Sequence, residues 1–108
     1  AQLPVLAKRA NVEFKVVQEW VFGNERFDPA CIGLLREASS RLGVASIDMA
    51  SQAGHDAYHV SKVAPTAMIF TPCRDGITHN NHEFADLERT LPGVNVVLKA
   101  VVARANRS

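Results

Sequence analysis

The alternation of apolar and polar positions is clearest near the start of the chain. Val12, Phe14 and Val16 interleave with Glu13 and Lys15. Period-two alternation in a stretch rich in β-branched and aromatic residues predicts a strand over residues 12–22. Ahead of it, residues 2–10 read as a short helix, with Pro4 tolerated in its first turn. Gly23-Asn24 breaks the strand pattern. Asp28-Pro29 then opens a helix, Asp28 as N-cap and Pro29 at the first helical position. Its apolar residues Ile32, Leu34, Leu35, Ala38 and Leu42 fall mostly on one stripe, and Gly43 ends it. Residues 44–49 read as a short strand, residues 55–63 as a helix closed ahead of Pro65. The run 66–71 is continuously apolar, as in a strand covered on both faces. Asp75-Gly76 marks a turn within 72–76. Residues 86–106 form the last helix, Leu91, Val94, Leu98, Val101, Val102 and Ala105 its expected apolar face, with Pro92-Gly93 as its interruption or its true start. Helices alternating with strands predict an α/β fold, helices packed on a mixed sheet.

Composition narrows the class. The chain has 108 residues, 47% hydrophobic, enough for one globular domain. Lys and Arg number 12 against 11 Asp and Glu. A net charge of +1 shows no footprint for nucleic acid or a membrane surface. The apolar stretch 94–105 contains Lys99 and Arg104 and is shorter than a membrane span requires. No signal peptide is legible before Lys8-Arg9, and Cys31 and Cys73 read as two reduced thiols in a cytoplasmic protein.

Candidate chemistry gathers in two loops, each after an expected strand. The first is Ser51-Gln52-Ala53-Gly54-His55-Asp56-Ala57, the second Asp75-Gly76-Ile77-Thr78-His79-Asn80-Asn81-His82-Glu83. Ligands of open α/β sheets bind beyond the carboxyl ends of strands. Gly54 permits a close backbone approach, and His55 and Asp56 open a helix. His55 and His59 have the spacing of a chelating pair. They fit equally a hydrogen-bonded, partly buried histidine beside an exposed one, and the residues alone favour that reading. His79 is a candidate metal ligand, with Glu83 as acceptor for its second nitrogen or as a turn residue. A polar surface loop explains the same residues. Asp86 is expected to cap the last helix.

Taken in order, the motifs resemble a known group. Ala53-Gly54-His55-Asp56-Ala57, then Ala64-Pro65-Thr66-Ala67-Met68-Ile69-Phe70, then Asp75-Gly76-Ile77-Thr78-His79-Asn80 with Glu83, then Gly93-Val94-Asn95-Val96-Val97-Leu98 are similar to the C-terminal end of the N-carbamoyl-L-amino-acid hydrolase, β-ureidopropionase and allantoate amidohydrolase group. These are aminoacylase-like, two-metal zinc hydrolases. The likeness is densest over residues 51–83. It departs at Gln52, where the group usually has Gly, and at Thr78, where it has Ser.

The resemblance implies specific roles. His79 matches a metal ligand, and Gly54, His55 and Asp56 match a loop bordering the substrate. Asn80 and Glu83 match positions that would support the ligand from behind. The intact protein would use two divalent ions, zinc or else manganese, cobalt or nickel, to hydrolyse the carbamoyl or ureido group of a small molecule to ammonia, carbon dioxide and the free amine. It would be a homodimer. The remaining metal ligands and the general base have no counterpart in this chain, so no catalytic residue is assigned. Residues 1–23 match the end of a lid and dimerisation domain, residues 24–108 the returning end of the catalytic domain. The chain is therefore expected to be a C-terminal fragment, inactive alone, binding no metal alone and prone to self-association. Two competing readings remain: a complete small α/β binding or dimerisation module without catalysis, and a metal site assembled from His55, His59, His79 and His82.

Overall fold

The structure, a computed structural model, describes residues 2–19, 26–51 and 53–106. Trp20, Phe22, the break at Gly23-Asn24, the division between residues 23 and 24, and Gln52 lie outside the described residues. Four α-helices occur among the described residues: α1 (Leu3–Ala10), α2 (Pro29–Arg41), α3 (Ala57–Val60) and α4 (Leu87–Ala105), with a 3-10 turn at Arg74–Gly76.

Helix α2 forms where its end signals place it. The Asp28 carboxylate accepts from the Cys31 backbone N–H at 2.8 Å. That bond holds the Asp28 carboxyl below its ordinary pKa, while burial pushes the Cys31 thiol up. At the other end Gly43 takes φ +64°, the left-handed conformation glycine adopts without a Cβ clash. The Gly43 N–H then reaches Ser40 O at 3.1 Å and the Val44 N–H reaches Ser39 O at 3.0 Å. This is a Schellman closure, reinforced by Ser39 Oγ donating to Val44 O at 2.7 Å. Cys31 and Cys73 are both free thiols.

The core is the seam between α2 and α4. Leu34 and Ala38 of α2 are buried against Val96 and Ala100 of α4, with Leu35, Val44 and Ala103 packed around them. The stripe on α2 is the expected one; the stripe on α4 is not. Val94, Leu98 and Val101 are 53%, 59% and 58% exposed. They lie on the side of the helix opposite Val96, Ala100 and Ala103, because successive residues turn by about 100°. Helix α4 is apolar on both sides, and the smaller side is the one that packs.

Where strands were expected, the structure differs. Residues 12–19, 44–49 and 66–71 form neither helix nor strand, and no sheet exists among the described residues. A strand is held by its neighbour's backbone, and none of these segments finds such a neighbour there. Residues 66–71 are nonetheless fixed in place. The Asp28 N–H donates to Thr66 O at 2.9 Å. Helix α4 rests on the far end of the segment at Gly93, where an added Cβ would lie 2.6 Å from Thr71 Cγ2 and 3.3 Å from Ile69 Cδ1. Residues 44–49 are tied to α2 by Arg36, whose guanidinium forks onto the Asp48 carboxylate, one arm at 3.2 Å.

The dimensions fit this arrangement. The shortest extent is 18 Å and the radius of gyration 19.5 Å. A compact domain of this length has a radius near 13 Å. A sheet with helices on both faces would measure roughly 25 Å between outermost Cα atoms. The accessible surface is 9289 Å², against about 5,900 Å² for a compact monomer of this mass. No helix among the described residues is long and apolar enough to cross a membrane.

Gly93→Ala tests the α4 contact. Alanine gains about 1 kcal/mol in helix propensity, but overpacking against the short, branched Thr71 costs about 1–3 kcal/mol. The thermal midpoint is expected to fall, and Thr71→Ser, which removes the clashing methyl, is expected to restore it in the double variant.

Candidate functional site

The first loop closes around its histidine. Ser51 Oγ lies 2.7 Å from His55 Nε2 and accepts from the Ala53 N–H at 3.2 Å. The imidazole stands in T-shaped contact with two rings, Tyr58 at 5.6 Å and 76°, and Phe70 at 5.5 Å and 61°. Tyr58 is buried and stacks on Phe27 at 5.6 Å. The half-buried His55 is thus held by a hydroxyl on one nitrogen and by aromatic carbon around its plane.

The expected helix at 55–63 reduces to the single turn α3 with looser turns behind it. Asp56 stands at its N-cap position without a side-chain capping bond. One turn carries little dipole, so the loop's chemistry rests on side chains rather than on a helix end. Gly54, His55, Asp56 and His59 together line an open cavity of about 420 Å³. The structure therefore brings the three substrate-loop candidates to one place and adds His59.

The second loop is built differently. His79 adopts φ +54°, a left-handed conformation uncommon for a residue with a side chain. Its backbone N–H donates to Glu83 Oε2 at 2.8 Å. Asn80 Oδ1 accepts from the His82 N–H at 2.9 Å, and Asn80 O accepts from the Glu83 N–H at 2.9 Å. Glu83 thus meets His79 through the backbone N–H, which fits the turn-residue alternative of the sequence reading. Asn80 is a turn-former. The loop is anchored at its base by Arg74, whose N–H donates to Phe84 O at 2.8 Å. The Arg74 guanidinium sits 4.1 Å over the Phe84 ring and donates to Asp86 at 3.1 Å. Asp86 does occupy the N-cap position of α4, but its carboxylate faces Arg74 and makes no cap bond.

His79 and Glu83 do not line the His55 cavity. Among the described residues no three His, Cys, Asp or Glu side chains come close enough to hold a metal. A catalytic zinc takes three protein ligands and a water. The described residues do not by themselves make such a centre, and the four-histidine assembly is not formed among them. Sequence reading gives no role to Ser51, Tyr58 or Phe70. Their only signal is proximity in sequence or a shared apolar pattern, which shows nothing until the loop closes.

Residues 6–103 match the sequence pattern of peptidase family M20/M25/M40, and the chain belongs to that family. It is 35% identical over 105 residues to an N-carbamoyl-L-amino-acid amidohydrolase of Rhizobium meliloti, covering 97% of this chain and 25% of that protein. It is 32% identical over 95 residues to a ureidoglycolate hydrolase of Arabidopsis thaliana, covering 85% of this chain and 20% of that one. Its fold matches the crystal structure of a hydantoinase/carbamoylase family amidase from Burkholderia vietnamiensis with a TM-score of 0.86, at 38% identity over 95% of this chain and 25% of that one. The chain spans about a quarter of the length of the relatives it matches.

The Glu83 brace is open to test. Glu83→Ala removes the carboxylate that accepts the His79 N–H, so amide hydrogen exchange at His79 is expected to accelerate at least tenfold, while Glu83→Gln, which keeps an oxygen there, is expected to retain most of the protection.

Proposed function

We propose that the protein to which this chain belongs hydrolyses the C–N bond of a carbamoyl or ureido group on a small molecule, and that this chain is the C-terminal quarter of it. The observation that carries the reading is the 35% identity, over nearly the whole chain, to an N-carbamoyl-L-amino-acid amidohydrolase. The similarity to a ureidoglycolate hydrolase points to the same bond type.

In this reading Gly54, His55 and Asp56 face the substrate across the cavity they line. His79 supplies one ligand to a two-metal, zinc-type centre whose other ligands come from outside this chain. The left-handed backbone of His79 supports that role, since strained residues cluster where geometry is tied to function. Asn80 and Glu83 hold the turn that presents it. Residues 1–23 belong to a lid that also forms a homodimer, residues 24–108 to the catalytic domain, with helices on a sheet completed by other parts of the protein. The uncovered side of α4 and the unpaired segments support this, because both need material the described residues lack.

The decisive assay is ammonia release from N-carbamoyl amino acids and allantoate by the protein of the full reading frame. Release is expected to be chelator-sensitive, and His79→Ala is expected to abolish it and to lower bound metal by elemental analysis. Release untouched by His79→Ala would refute the assignment of His79. The 108-residue chain alone is expected to show no turnover, having one metal-ligand candidate where three are required.

A second outcome concerns the chain in isolation. With about 3,400 Å² more surface than a compact monomer, much of it on Val94, Leu98, Val101 and the unpaired segments, it is expected to self-associate. Sedimentation velocity across a concentration series checks this; a compact, concentration-independent monomer would contradict it.

A further inference from the structure

We propose that Arg74 is a positioning residue for the loop that presents His79, and that it acts by drawing the Asp86 carboxylate away from the head of α4. The inference rests on the proposed function only in taking His79 to be a working residue of the site.

Two aspartates stand with an extended backbone at the head of a long helix, and they behave differently. Asp28 precedes α2 with φ −63° and ψ 123°, and its carboxylate accepts from the Cys31 N–H at 2.8 Å. Asp86 precedes α4 with φ −71° and ψ 142°, the same extended backbone an N-cap residue adopts. Its carboxylate nevertheless caps no N–H of the first turn. It accepts instead from the Arg74 guanidinium at 3.1 Å. Of the two helices α4 has the greater need of a cap, because Pro92 removes a backbone bond from its second turn. The aspartate is in place to cap, and Arg74 holds it elsewhere.

What this arrangement secures is the base of the loop over residues 75–83. Arg74 stands where the loop leaves, Phe84 and Asp86 where it returns. The Arg74 backbone N–H donates to Phe84 O at 2.8 Å, and its guanidinium lies 4.1 Å over the Phe84 ring while its edge reaches Asp86. A planar guanidinium can stack on a ring and donate from its rim at once, which an ammonium cannot. Inside the loop Asp75 and His79 both take φ +54°. Such conformations persist only where the surroundings hold them. The brace on His79 is Glu83 Oε2, which accepts its N–H at 2.8 Å, and Glu83 is the neighbour of Phe84. Fixing Phe84 and Asp86 therefore fixes the point from which Glu83 reaches His79.

The test is amide hydrogen exchange in the protein of the full reading frame, resolved over residues 77–84 and 87–90. In Arg74→Ala the loop is expected to exchange about fivefold faster. The first turn of α4 is expected to exchange about threefold slower, because the released Asp86 carboxylate then caps it. Opposite signs are the signature, since a general loss of stability would speed both. Arg74→Lys keeps a charge beside Asp86 but not the stacked plane, so its loop is expected to fall between the two and its helix to match the wild type. In the double variant Arg74→Ala/Asp86→Ala the loop stays fast and the slowing of α4 disappears. Loop exchange unchanged in Arg74→Ala overturns the proposal, and so does a helix start that is not slowed there. Where Arg74→Ala does not fold, Asp86→Ala decides, and an unchanged loop in it overturns the proposal. Absence of ammonia release from the wild type, with the opposite exchange changes present, would remove the substrate reading and leave the positioning of the loop standing.

Discussion

Everything the described residues build hangs on one apolar seam. Leu34 and Ala38 press on Val96 and Ala100, and α2 with α4 is the one pair of elements in contact among the described residues. Alanine on both sides of the crossing brings the two backbones close, since the separation of packed helices follows the size of the side chains between them. From this seam the segment 66–71 takes its position. Asp28, at the head of α2, caps the helix with its side chain and ties Thr66 with its backbone. Gly93, near the head of α4, lets that helix settle onto Ile69 and Thr71. The segment 66–71 is thereby placed by both helices, and Phe70 is brought to the edge of His55. The pocket wall inherits its geometry from a seam that contains no polar chemistry at all.

What the sequence made legible was local. The start and stop of α2 were readable because Asp28, Pro29 and Gly43 act within a few residues of themselves. The turn at Asp75-Gly76 was readable for the same reason, and both residues take positive φ there. The strands were not, because pairing is a relation between distant segments. The covered face of α4 was not, because the helix is apolar on both sides. Counting the larger side chains selected Leu91, Val94, Leu98 and Val101, and the seam uses the smaller ones. The side with the larger chains is left exposed among the described residues.

The two loops divide the same way. The string Gly54-His55-Asp56 is a site candidate only through the resemblance it carries, and the structure places all three residues along one open cavity. The hydroxyl of Ser51 and the rings of Tyr58 and Phe70 carry no such mark, yet they hold the imidazole. In the second loop the sequence left Glu83 either behind the His79 imidazole or in a turn, and among the described residues its carboxylate accepts from the His79 backbone N–H. A carboxylate four residues beyond a histidine in the left-handed region meets the backbone N–H first, and the side chain is left exposed.

The Pro92-Gly93 step in α4 has a bearing on the order in which the molecule assembles. Proline in the sixth position of a helix removes a backbone bond and disfavours the turn by about 3 kcal/mol, and the glycine after it adds about 1 kcal/mol. The first turns of α4 are therefore poor at starting themselves. The C-terminal two-thirds, free of Pro and Gly beyond Gly93, is the better place for the helix to start, and it then extends backwards. Those early turns become stable only when Ile69 and Thr71 are already there to receive Gly93. The end of the helix nearest the pocket loops is thus the last to set, and it sets only against a segment that has already found its place.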